Sequence, residues 1–197
     1  MYFCRVSEHL VYSFEMESWE ERWETGILLQ ENEQWVLLAN IPSDYIIDGY
    51  KLIVKKHIAY KYREDNEKAH EKYFKLKNIP VPPIPDGFAF HNDIIETLLW
   101  IEKKYLFFEF KDYDEYENFT GRFRSIISEE EGSFTIDYLF NDGTIDTEYE
   151  TEFFAEDVSI ICFDTHYLHA ITFLYQENLK GKPAEIIQTK RKKMNRK

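Results

Sequence analysis

The chain has 197 residues, 44% hydrophobic and 17% aromatic. That is enough apolar area for one large core or two of about 80 to 100 residues, and too much for a disordered body. The net charge of −13 is uneven, because residues 180–197 hold eight Lys or Arg against one Glu and leave residues 1–179 at −20, a field that repels phosphate backbones and counts against generic nucleic-acid binding.

Further exclusions follow from the chain's start and its cysteines. Met1-Tyr2-Phe3-Cys4-Arg5-Val6 has neither the basic lead nor the apolar core of a secretory signal, and no run approaches the roughly 18 apolar residues of a membrane span. Two cysteines, Cys4 and Cys162, are too few for a disulfide scaffold. A cytoplasmic protein with reduced, buried thiols is expected.

In the first half, Leu10, Tyr12, Phe14 and Met16 alternate with Val11, Ser13 and Glu15, the period of a half-buried strand. Trp19-Glu20-Glu21-Arg22-Trp23 reads as a loop. Ile27-Leu28-Leu29 and Trp35-Val36-Leu37-Leu38-Ala39 are two strands of a hairpin. Turn residues over 41–49 lead to strands at 50–54 and 58–62. Residues 64–77 predict a short charged helix with Ala69, Tyr73 and Leu76 on its apolar face.

Four of the six prolines then fall in Pro80-Val81-Pro82-Pro83-Ile84-Pro85, which reads as a linker because each ring fixes φ and extends the residue before it. Asn92-Asp93 can cap a helix with Ile94, Ile95, Leu98, Leu99 and Ile101 on one broad face. Strands are expected near 105–110, 119–127 and 133–140. Asn141-Asp142-Gly143 is a hairpin signal, with alternation over 144–150 after it and a closing strand at 158–163. Residues 167–176 fit a strand or a helix.

The two halves repeat one another. An acidic, aromatic run leads into Thr25-Gly26 and again into Thr120-Gly121, and the last strand of each half begins at His57-Ile58 and at Asp157-Val158. The expected architecture is mainly β with a few helices: two tandem five-stranded barrels over residues 1–77 and 88–179, joined by a Pro-rich linker at 78–87, with a basic tail at 180–197. A helix followed by five short, strongly bent strands resembles the Sm-like arrangement at 92–163, and residues 9–62 look like a diverged copy. The SH3-like barrel has a closely similar strand order. With Ser43-Asp44-Tyr45-Ile46-Ile47-Asp48-Gly49-Tyr50, the chain resembles bacterial proteins built of tandem small β-barrels. That resemblance carries no catalytic residues to transfer.

Chemical motifs are sparse. There is no Gly-x-Ser-x-Gly, no glycine-rich phosphate loop and no cysteine with a histidine context, so no enzyme and no cofactor is implied. His166 and His169 form the best metal-like pair, and a metal-assisted enzyme there is one alternative, but a third ligand is not evident. His57 and Asp157 occupy corresponding positions, where a polar side chain ordinarily satisfies backbone groups at a turn. The leading site is the pair of acidic, aromatic loops carrying Trp19, Glu20, Glu21 and Trp23, and Tyr113, Asp114, Glu115 and Tyr116. Such loops suit a basic protein or peptide, so a non-catalytic binding or regulatory module is expected, an immunity-type inhibitor being one concrete form. An RNA-associated protein using the basic tail is the other alternative.

Overall fold

The computed structural model describes residues 9–17, 23–113, 118–146 and 148–180. The first half forms β1 (Val11–Met16), β2 (Trp23–Glu31), β3 (Trp35–Ile41), β4 (Tyr50–Val54), a 3₁₀ turn (Lys55–His57), β5 (Ile58–Tyr62) and α1 (Asp65–Lys77). The second half forms α2 (Ile94–Tyr105), β6 (Phe108–Asp112), β7 (Asn118–Ser128), β8 (Ser133–Tyr138), β9 (Phe153–Phe154), β10 (Val158–Phe163) and α3 (His166–Lys180).

All ten strands belong to one antiparallel sheet, in the order β5-β1-β2-β3-β4-β10-β6-β7-β8-β9. Each half therefore runs last strand, first, second, third, fourth. The join is β4 against β10, with Ile53 opposite Ile160 and Tyr50 opposite Phe163. Among the described residues no strand pairing closes either half, so the sheet is open and continuous where two separate barrels were expected.

The Thr-Gly steps occupy matching places in the two halves. Gly26 of β2 lies opposite Asn40 of β3, and Gly121 of β7 lies opposite Tyr138 of β8. A Cβ on Gly26 would meet the Ala39 carbonyl oxygen at 2.7 Å, and one on Gly121 would meet that of Asp137 at 2.4 Å. Close backbone approach explains why both copies carry glycine mid-strand, where it otherwise weakens a sheet.

The core also crosses the join. One apolar cluster contains Leu37 and Leu52 from the first half together with Leu98, Phe110, Phe134 and Ile161 from the second. The opposite face packs Phe14, Val36, Leu38 and Ile53 against Ile160 and Cys162. Every residue of β3 is consequently buried, odd positions on one face and even on the other. The proline segment lies against this body: the Tyr50 hydroxyl donates to the Pro83 carbonyl at 2.9 Å, and Pro85 is buried.

The structure corrects two expectations, the buried face of α1 and the fourth strand of the second half, and decides the form of residues 167–176. α1 buries Glu67, His70 and Phe74, whereas Leu76 is 71% exposed and Tyr73 lies at the surface. The helix faces β1 partly through polar contacts, with the Ser13 hydroxyl donating to Glu67 Oε1 at 2.6 Å. Residues 167–176 are helical, because Leu168 and Ile171 present one stripe to Phe107 and Leu139. The fourth strand of the second half is only Phe153–Phe154, while the described residues of 144–150 contribute a single bridge, Ile145 with Leu139. α2 starts where expected: Asp93 Oδ1 accepts from Ile95 N at 2.6 Å and Glu96 N at 3.3 Å.

Candidate binding site

Antiparallel pairing of β4 with β10 sets the end of β4 beside the start of β10, and so brings together the turns that precede β5 and β10. In each half the residue just past the first strand anchors to the residue just before the last. Glu17 N donates to the His57 carbonyl at 2.9 Å, and Tyr113 N donates to the Asp157 carbonyl at 2.7 Å. The two anchors then touch. The His57 ring stacks on Tyr113 with centroids 5.3 Å apart and planes 18° apart.

His57 Nε2 lies 3.2 Å from the Glu156 carbonyl oxygen, which also accepts from Lys56 Nζ. His57 and Asp157, at corresponding positions of the two halves, therefore belong to one cluster. The reading of His57 as a turn residue that satisfies backbone groups agrees with these bonds. Burial, aided by the Lys56 charge, pushes its imidazole below the ordinary histidine value and favours the neutral ring.

Of the eight residues expected at the site, Trp23 and Tyr113 are described. Trp19, Glu20, Glu21, Asp114, Glu115 and Tyr116 lie outside the described residues. Trp23 is the first residue of β2, where a loop residue was expected. It is 49% exposed and meets Tyr62 edge-on at 4.7 Å. Tyr62 donates its hydroxyl to Glu15 Oε2 at 2.7 Å, and neighbouring Tyr60 is 63% exposed. Beside the turn, Lys55 is paired with Glu31 at 2.8 Å, which accounts for one local cation. Tyr113 is half-buried through its contact with His57.

The histidine pair does not share a carboxylate. His166 Nδ1 lies 2.8 Å from Asp48 Oδ1, and His169 Nε2 lies 2.7 Å from Asp164 Oδ1. Among the described residues no three His, Cys, Asp or Glu side chains are grouped as metal ligands. No helix of the described residues is long and apolar enough to cross a membrane.

A buried ion cluster escaped the sequence reading. Glu24 of β2 bridges Lys51 of β4 at 2.5 Å and Lys111 of β6 at 2.7 Å, tying the two halves together. Burial pushes the Glu24 carboxyl up, but the two lysines outweigh it and hold the group below the ordinary carboxylate value. The available signal was Lys51 itself, a lone cation inside the apolar run 50–54. Nearby Cys162 has its thiol pushed up to about 12 by burial, which keeps it protonated and unreactive. No protein family, curated protein or solved structure matches this chain.

Proposed function

We propose that the chain is a non-catalytic binding module, built of two Sm-like or SH3-like units, that takes a basic protein or peptide on its two acidic, aromatic loops. One form of this role is an immunity-type inhibitor of a basic toxin. The observation that carries the reading is the convergence at His57: loop bases from opposite halves of the chain, at Glu17 and Tyr113, rest on one turn. A partner reaching both loops at once would meet carboxylates and exposed rings on a surface of strongly negative overall charge. Charge of that sign speeds encounter with a basic partner, and desolvated aromatics slow its release.

The test is a titration of a Lys/Arg- and Pro-containing peptide followed by tryptophan fluorescence. Reversing Glu20, Glu21, Asp114 and Glu115 to Lys should weaken binding at least about tenfold, equivalent to 1.4 kcal/mol. Reversing Asp44, Asp65, Asp86 and Glu177, exposed positions outside the cluster, changes the net charge equally and should have a smaller effect. Equal losses from both sets would leave only diffuse charge attraction and remove the site. Capture of single-stranded RNA instead, abolished by deleting residues 181–197, would transfer the function to the basic tail.

A further inference from the structure

A cavity opens at the other end of β10, about five residues or 16 Å along the strand from Asp157. It has a volume of about 440 Å³, within the roughly 300–1,000 Å³ range of small-molecule sites. Its walls come from both halves: Asn40 near the end of β3, Asp48 before β4, Glu109 of β6, Thr120 of β7, Thr165 just before α3 and Tyr167 in its first turn.

Three observations give the cavity a chemical preference. Asn40 is 4% exposed and its backbone is fully used, N donating to the Gly49 carbonyl and O accepting from Asp48 N. Its side-chain oxygen nevertheless has no partner, a defect that costs free energy unless a donor arrives. Glu109 is half-buried, and its carboxyl takes one long hydrogen bond, from the Thr120 hydroxyl at 3.5 Å. Finally, among the described residues the lining contains no Lys, Arg or His. Lys51 and Lys111, whose charges reach Glu109, are both engaged by Glu24, and the His166 imidazole, off the lining, is bonded to Asp48. An anion would find no cationic side chain on these walls, whereas a cation carrying N–H groups would find acceptors.

We infer that this seam cavity binds a small organic cation with N–H donors, a primary ammonium or guanidinium compound, held by the Glu109 carboxylate and the Asn40 side-chain oxygen. Burial is the largest influence and pushes the Glu109 carboxyl above its ordinary value; Glu24 adds to that, Lys111, the Thr120 hydroxyl and Lys51 oppose it, and the Tyr167 hydroxyl and Cys162 thiol of the lining also lie within its electrostatic reach. An arriving cation favours the ionised form, so binding releases a proton and affinity rises with pH until Glu109 is ionised in the free protein. The site differs in place and in ligand from the loop cluster, and neither reading requires the other.

The probes are agmatine and putrescine, with tetramethylammonium, inorganic phosphate, ribose and calcium as comparisons, followed by amide NMR shifts on the full chain. Agmatine or putrescine should bind with Kd below about 1 mM and move the amides of Asn40, Glu109 and Thr120. Tetramethylammonium, which has the charge but no N–H, should bind at least about tenfold more weakly. Glu109→Gln should weaken binding at least about tenfold and abolish its pH dependence, and Asn40→Leu gives an independent loss should Glu109→Gln fold poorly. The inference is overturned if neither amine binds at that level, if tetramethylammonium or calcium binds equally well, or if both variants leave affinity unchanged.

Discussion

Replacing Glu24 by Gln tests whether the two halves are one cooperative structure. The carboxylate bridges Lys51 at 2.5 Å and Lys111 at 2.7 Å, and the three side chains are 12%, 5% and 14% exposed. Gln keeps the shape and loses the charge, removing the carboxylate that the two buried ammonium groups share. Breaking a buried ion pair in this way costs about 3–5 kcal/mol, a large part of the roughly 5–15 kcal/mol that holds a typical domain folded. Because Glu24 and Lys51 lie in the first half and Lys111 in the second, and because the Leu37-to-Phe134 cluster is continuous across the join, the loss should fall on the whole molecule.

Urea unfolding followed by tryptophan fluorescence and by far-ultraviolet circular dichroism measures this. A single transition is expected for both proteins, with coincident probes, a lower midpoint in Glu24→Gln and an unchanged slope. The lysines hold Glu24 below its ordinary value, so its contribution is present above about pH 4.3 and is lost as pH falls through the folded-state value; Glu24→Gln should lack that part of the acid limb. Converting all three residues to apolar ones of similar volume should recover most or all of the stability. A loss below about 1 kcal/mol for Glu24→Gln, or a wild-type curve with two separated transitions, would refute the account of a shared, ion-bridged core.

Other outcomes follow from single contacts. Gly26→Ala and Gly121→Ala should each destabilise by about 1–3 kcal/mol in thermal or urea unfolding, since each Cβ would strike a neighbouring backbone oxygen; a neutral result at either position would break the equivalence of the two copies. His57 has its folded-state value lowered by burial, so the unfolded chain takes up the proton first. Stability should therefore fall as pH drops below about 6.5, and His57→Gln should show a shallower decline in melting temperature over that range. Asp93→Ala removes the acceptor for two amides at the start of α2 and should cost about 1 kcal/mol, with loss of helical circular dichroism confined to a small fraction of the signal.

Much of the local structure was written in the order of residues. Period-two alternation located β1, the Asn-Asp pair marked the start of α2, and the duplicated Thr-Gly steps announced the repeat that the strand order displays. Nothing local to Glu17 or Tyr113 indicated that the two would meet at His57. That meeting depends on β4 pairing with β10, a contact between segments about a hundred residues apart that leaves no trace in a short window. The short β9 at Phe153–Phe154 was displaced from the alternating stretch before it for a related reason: alternation reports that a strand could form, and only the partner β8 decides where it does. α1 buries Glu67 and His70 in preference to Leu76 because β1 offers the Ser13 hydroxyl to Glu67, an exchange invisible to an apolar stripe. In the same way, Lys51 became an interior residue only when Glu24 arrived from another strand to neutralise it. Residue order set the period and the turns; the tertiary structure alone decided which edges joined and which charges could be buried, because both depend on partners brought from distant segments of the chain.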